Sequence, residues 1–319
     1  MSRQADLKLI DVVVGVITDG QDRVLIQQRT DGPFAGQWEF PGGKRERGES
    51  SFEALRRELH EENGITVERA SPLIHITHRY PDRAVSLRTF FIDRYRDKAA
   101  GAEGQNVRWV TRRALFDQAL LAADRPLTVA INLPFHYRFT SPVAGEREVP
   151  AFLDGLDDVL ASDVRLLCLR APKLNDDAYA RLARLVAARC QSAGVELMLH
   201  GAAERGPLVR ECGARGLHLT ANSAATVNAR PVDDGAWLAV SVQTATDLQH
   251  AHALGADFST LACILPDKDG PDESAPGWPG FAALVRDALL PVYACGPLRP
   301  AAEAQARAQG GQGVATAFS

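Results

Sequence analysis

At 319 residues the chain is longer than one small core needs, so two domains or one large one are expected. It is 45% hydrophobic and 24% charged, with a formal net charge of −4. Basic and acidic side chains nearly balance up to residue 134 and acid exceeds base beyond it. This excludes a surface built to grip a nucleic acid polymer by its phosphates.

Met1–Leu9 lacks the apolar core of a signal peptide, and no apolar run reaches transmembrane length, so a cytoplasmic protein without membrane association is expected. Asp11–Thr18 and Val24–Gln28 are β-rich and flank the turn Asp19–Arg23, which reads as a hairpin. Trp38–Gly43 (WEFPGG) reads as a short strand running into a glycine loop. Ser50–Asn63 is helical, with Phe52, Leu55 and Leu59 as an apolar stripe and Gly64 as its stop. Leu73–Tyr80 and Val85–Tyr95 read as strands joined by Pro81-Asp82-Arg83. Val107–Val110 is a further strand and Arg112–Ala123 a helix. Together these make a compact α+β unit.

Near Asp124–Leu133 the pattern restarts. Eight strand candidates follow: Phe135–Thr140, Arg165–Leu169, Glu196–Leu199, Gly216–Leu219, Trp237–Ser241, Phe258–Leu261, Pro291–Ala294 and Gly313–Ala315. Helical stretches such as Asp176–Ala193 and Ala245–Gly255 separate most of them. The alternation predicts a (β/α)8 barrel, with a short α/β sheet as the competing reading. The five cysteines (Cys168, Cys190, Cys212, Cys263, Cys295) all lie here, without zinc-site or CxxC spacing, and read as reduced. The domain boundaries expected are 1–132 and 133–319.

Chemistry concentrates in the first unit. On a helix, Glu58, Glu61 and Glu62 stand at i, i+3 and i+4 and share one face. Three crowded carboxylates are favourable only when a cation or solvent screens them. A hard divalent cation such as Mg2+ prefers such oxygens and keeps several waters, and a diphosphate brings more oxygens to it. The plainer alternative is a solvated acidic face paired with Arg56 or Arg57. The surroundings argue for the first: Gly42-Gly43 precede the helix, Glu49 stands at its start, and Gly64-Ile65 end it.

The spacing from Gly43 to Ile65 is GX5EX7REUXEEXGU throughout, and it resembles the box of the Nudix hydrolases. From about Leu9 to Leu127 the chain is similar to the MutT-type pyrophosphohydrolases. The further matching segments are Gln28-Arg29, Glu39–Lys44 (EFPGGK), Tyr80–Arg83 (YPDR) and Glu103-Gly104-Gln105. The resemblance implies an α+β Nudix fold, a mixed sheet with flanking helices. It implies Mg2+ as cofactor, with Mn2+ able to substitute, held by the Gly42 carbonyl, Glu58, Glu61, Glu62 and Glu103. Glu58 would serve as general base, Arg57 and Glu49 would order the carboxylates, and Lys44 would contact phosphate. Arg29, Phe40, Arg83 and Asp124 would line the base pocket. Asp124 departs from the pattern, which has Asn there. The implied reaction converts an oxidised purine nucleoside triphosphate such as 8-oxo-dGTP to the monophosphate and pyrophosphate. The partner is thus a small nucleoside triphosphate or another diphosphate.

Residues from about Phe135 to Phe318 resemble thiamine phosphate synthase, an α/β TIM-like barrel. The resemblance rests on Arg165–Arg170 (RLLCLR), Gly216–Leu219 (GLHL), Ser241–Thr244, Gly255–Phe258 (GADF), Pro291–Gly296 (PVYACG) and Gly313–Ala315. The family carries Mg2+-binding Asp residues after its third strand and after the GVHLG-like segment. Here those places read Leu199-His200-Gly201-Ala202 and Ala221-Asn222-Ser223-Ala224. A barrel without synthase activity is therefore expected. It would serve as a ligand-binding or regulatory module or as a dimerisation scaffold, and it points to thiamine-related diphosphates as an alternative substrate class. His200, His218 and Lys268 fall near strand ends, where barrel ligands bind, and packed or solvated roles suit each of them as well.

Overall fold

The computed structural model describes residues 8–262 and 277–318; Cys263 and Lys268 lie outside them. The chain divides into two compact units, Met1–Asn132 with Val285–Pro291, and Leu133–Leu284 with Val292–Ser319. Among the described residues no helix is long and apolar enough to cross a membrane.

The first unit runs β1 (Lys8–Ile17), β2 (Arg23–Gln28), β3 (Trp38–Glu39), β4 (Gly42–Lys44), α1 (Ser51–Asn63), β5 (Thr66–Arg79), β6 (Arg83–Arg96), β7 (Val107–Thr111) and α2 (Arg125–Asn132). Its strands form two sheets, β4-β1-β6-β5 and β3-β2-β7. In the first, β1 pairs parallel with β6 and antiparallel with β4, so the sheet is mixed. Helix α1 packs Ala54, Leu55 and Leu59 against Val13, Ile17, Leu25, Val67 and Ile92.

Four local expectations are corrected. The β1–β2 hairpin is reduced to one bridge, Thr18–Val24. Both edges of β1 are taken by β4 and β6, so β2 leaves to pair with β3 and β7. Gly42–Lys44 is a strand rather than a loop. Phe52 lies outside the apolar stripe of α1; it is exposed, with the Arg56 guanidinium over its ring, and the buried stripe continues instead to Asn63. Arg112–Ala123 is not one helix but two 3-10 turns, Arg113–Asp117 and Ala122–Asp124, and the α-helix starts only at Arg125. Residues 119–121 are diverted to pair with Trp38: its N–H donates to the Ala119 carbonyl, and its own carbonyl accepts from Leu121 N–H.

The second unit is a closed barrel of eight parallel strands in sequential order. They are β8 (His136–Phe139), β9 (Leu166–Leu169), β10 (Glu196–Gly201), β11 (Gly216–Leu219), β12 (Trp237–Val242), β13 (Phe258–Ala262), β14 (Val292–Cys295) and β15 (Gly313–Ala317). Closure rules out the open-sheet alternative. Four-residue runs such as LLCL and GLHL are buried throughout, as parallel strands covered on both faces require. Helix Val149–Leu160, between the first two strands, carries no mark singled out in the sequence.

Candidate active site

Helix α1 is defined at both ends by its own residues. Ser50 accepts from Glu53 N–H while Glu53 returns a bond to Ser50 N–H, a capping box; Gly64 closes the helix in the left-handed region at φ 68°. The face so fixed carries Arg57, Glu58, Glu61 and Glu62. Arg57 donates from Nε to Glu49 Oε1 at 2.8 Å and from Nη2 to Glu49 Oε2 at 3.1 Å, a bidentate fork. Its Nη1 donates to Glu58 Oε1 at 2.8 Å and to Glu61 Oε2 at 3.2 Å, and Nη2 also reaches the Lys44 carbonyl at 3.0 Å. One guanidinium thus gathers three carboxylates and ties them to the preceding loop.

Gly42 and Gly43 are required by close approach. A Cβ on Gly43 would sit 2.2 Å from Glu58 Oε2, and one on Gly42 would sit 2.1 Å from the Val13 carbonyl oxygen, with φ at 142°. The glycine pair lets the Glu58 carboxylate lie directly on the β4 backbone. The Gly42 N–H donates to Glu62 Oε2 at 3.0 Å, and Gln27 Nε2 donates to the same oxygen at 2.8 Å.

Burial shapes the acidity here. Hydrogen bonding from Arg57 holds Glu49 down to about 2. Desolvation pushes Glu58 up and takes Glu62 to about 7, against the lowering effect of its bonds to Gln27 and Gly42. No salt bridge reaches Glu62 among the described residues, so the face holds more negative charge than its own cation balances. The donors are hard oxygens, which suits a hard divalent cation. Among the described residues no group of three His, Cys, Asp or Glu forms a ready cage. Gly42, Glu58, Glu61 and Glu62 could hold such a cation together with substrate oxygens.

Glu103 is exposed, but its loop is brought to the end of α1: Ala102 N–H donates to the Glu62 carbonyl at 2.8 Å and Ala100 N–H to the Asn63 carbonyl at 3.1 Å. Lys44 is exposed and joins the recorded network through its carbonyl rather than its ammonium.

The four expected base-pocket residues fall into two groups. Phe40 is buried, and its N–H donates to Asp124 Oδ2 at 3.3 Å. Arg29 Nη1 donates to Glu39 Oε2 at 2.7 Å. Burial first, then the neighbouring Glu39, raises Asp124 well above the usual carboxylate range. Arg83 stands apart from this chain of contacts, paired with Asp82 at 2.8 Å and 4.9 Å over the Tyr80 ring. Gln27, Glu39, Asn63 and Tyr80 had no role in the sequence reading. A signal existed for Gln27, a polar residue ending the buried run Val24-Leu25-Ile26.

In the barrel, His218 is fully buried. Its Nδ1 lies 2.9 Å from the Tyr137 hydroxyl and its Nε2 2.9 Å from Ser241 Oγ. A neutral ring donates to one hydroxyl and accepts from the other, and both nitrogens are then satisfied. Burial drives His218 well below its ordinary range and takes His200, whose ring is 5.4 Å away, to about 4. Both are neutral, packed histidines. Cys168 and Cys190 are buried free thiols, and Cys212 and Cys295 are also free.

A glycine-cradled acidic helix on a mixed α+β sheet, in a chain that also forms a closed parallel barrel, defines a two-part protein whose acidic face lies in its first unit. Comparison with known families agrees. The model described as NUDIX domain matches residues 8–130, and that described as thiamine monophosphate synthase matches residues 141–317. The 8-oxo-dGTP diphosphatase of Escherichia coli K12 is 33% identical over 127 residues, 40% of this chain and 98% of that protein. The CTP pyrophosphohydrolase of the same organism is 31% identical over 124 residues, 39% of this chain and 92% of that protein. A Geobacter sulfurreducens protein bearing a provisional thiamine-phosphate synthase name is 30% identical over 177 residues, 54% of this chain and 79% of that protein. The chain is a Nudix pyrophosphohydrolase by its first unit and belongs to the thiamine monophosphate synthase family by its second.

Proposed function

We propose that the chain is a Mg2+-dependent nucleoside triphosphate pyrophosphohydrolase of the cytoplasm, converting an oxidised purine nucleotide such as 8-oxo-dGTP to its monophosphate and pyrophosphate. The observation that carries this is the Glu58, Glu61 and Glu62 face, gathered by Arg57 on the Gly42-Gly43 backbone. When bound, a divalent cation would neutralise diphosphate charge and make water more acidic. Glu58 accepts the proton from the attacking water. Arg57 orients Glu58 and Glu61, and Glu49 orients Arg57. Glu103 adds a carboxylate from its loop, and Lys44 meets the phosphates.

Asp124 supports the oxidised-purine reading. Burial raises its pKa and so favours the protonated form, which offers an O–H donor and a carbonyl acceptor, as an Asn amide would. Guanine presents two acceptors, O6 and N7, on that edge; 8-oxidation turns N7 into a donor and creates the complementary pair. Phe40 supplies the apolar contact, with Arg29 and Arg83 at the rim.

A second reading is favoured by the barrel's family. The first unit would hydrolyse a thiamine-related diphosphate, with the barrel as a non-catalytic ligand-binding module lacking acidic residues at Gly201-Ala202 and Ala221–Ala224. A panel of 8-oxo-dGTP, dGTP, CTP and thiamine-type diphosphates, followed by pyrophosphate or phosphate release with Mg2+, tests both. Preferred turnover of 8-oxo-dGTP is expected. Turnover of other diphosphates with both guanine nucleotides untouched would sink the first reading.

A further inference from the structure

Glu62 is held by an amide network that the box pattern does not require: position 63 is its free position before Gly64, and position 27 lies outside it. A Glu62 carboxylate offers only acceptors, so Gln27 turns its amide nitrogen to it, at 2.8 Å. The Gln27 amide oxygen then faces Asn63, whose Nδ2 donates at 3.1 Å. Gln105 Nε2 donates to the Glu62 carbonyl at 2.7 Å, so main chain and side chain are fixed together. This arrangement is costly. Gln27 is 3% exposed and Asn63 0%, and Asn63 Oδ1 is buried without a partner. Asn63 occupies the helix stripe one turn past Leu59, where an aliphatic side chain would pack without that cost.

We propose that Gln27, locked in orientation by Asn63, is a positioning residue that commits Glu62 Oε2 and leaves Glu62 Oε1 as the one oxygen presented to a divalent cation. Gly42 N–H shares the task by binding the same Oε2 at 3.0 Å. The inference rests on the reading of Glu62 as a metal-holding carboxylate. It makes Gln27 and Asn63 more than a pair of core amides satisfying each other.

The double variant Gln27→Leu with Asn63→Leu separates these roles, because it removes both amides at once. Thermal unfolding and Mn2+ calorimetry without substrate are measured on the full chain. The expected result is a protein that still unfolds cooperatively, with Mn2+ Kd raised roughly 10-fold or more. Gln27→Met, which keeps the side-chain length, should raise Kd in the same direction and decides the matter if the double variant does not fold. An Mn2+ Kd within about two-fold of wild type in a folded variant overturns the proposal, since such supporting partners typically cost about 10–100-fold. Glu58→Gln serves as the control for the underlying reading. If it retains turnover, the acidic face is not the catalytic site, whatever the Gln27 variants show.

Discussion

The acidic face of α1 and the histidine-lined end of the barrel strands both take ionisable groups out of water, and desolvation drives each group toward its neutral form. In the first unit it raises Glu62 to about 7; in the barrel it lowers His200 to about 4. The outcomes differ because of what surrounds them. His218 has both nitrogens satisfied by Tyr137 and Ser241 and carries no charge that needs a partner. The carboxylates of α1 share one guanidinium, and Glu62 has only neutral donors. His218, with both nitrogens satisfied, is packed core, whereas the surplus negative charge on α1 is where we propose that a cation and its diphosphate bind.

Substitutions can break this contrast. Apart from loss of Glu58 itself, the largest effect on turnover is expected at Arg57. Lysine cannot reproduce the fork to Glu49 together with the bonds to Glu58 and Glu61, so Arg57→Lys should lower kcat/KM by about 10–100-fold. Unchanged kinetics would mean that the carboxylates need no such organiser.

The adjacent glycines should then separate stability from activity. Gly42→Ala drives a Cβ into the Val13 backbone at an unfavourable φ and should cost roughly 2–4 kcal/mol in denaturant unfolding. The nearest atoms to a Cβ in Gly43→Ala belong to the Glu58 side chain, not to backbone, so Tm should fall less than in Gly42→Ala while turnover falls on the order of 10-fold. Equal losses of Tm in the two variants would mean that the Gly42 backbone contact is no tighter than the Gly43 side-chain contact.

A smaller effect concerns the barrel. The His200 pKa is depressed, so as pH falls the unfolded chain takes up its proton first. The stability this gives is complete above about 6.5 and is lost as pH falls toward about 4, on the order of 3 kcal/mol. His200→Asn should flatten that part of the pH–stability curve; an unaltered slope would show that His200 does not titrate as described.

A further pH-dependent effect is expected at Asp124. Its raised pKa means that the unfolded carboxyl ionises first as pH rises, and stability falls. Asp124→Asn should therefore raise Tm at pH 7 and leave it unchanged near pH 4. A lower Tm at pH 7 would argue for an ionised, paired Asp124.

Much of this was legible in the sequence because it is local. The eight barrel strands announce themselves as short apolar runs, and the α1 carboxylates by helical spacing. What was hidden depends on partners distant in the chain. Residues 119–121 looked helical until Trp38 claimed them. Phe52 looked like core until the helix turned Asn63 inward instead. Gln27 and Asn63 are 36 residues apart and meet only when β2 lies beside α1.

The most direct test of the account is pyrophosphate release from 8-oxo-dGTP with Mg2+ by wild-type protein and by Glu58→Gln. The account predicts turnover in the wild type and a loss of roughly 10³-fold in the variant, at a Tm close to wild type. A folded Glu58→Gln protein that hydrolyses at a near-normal rate would contradict it.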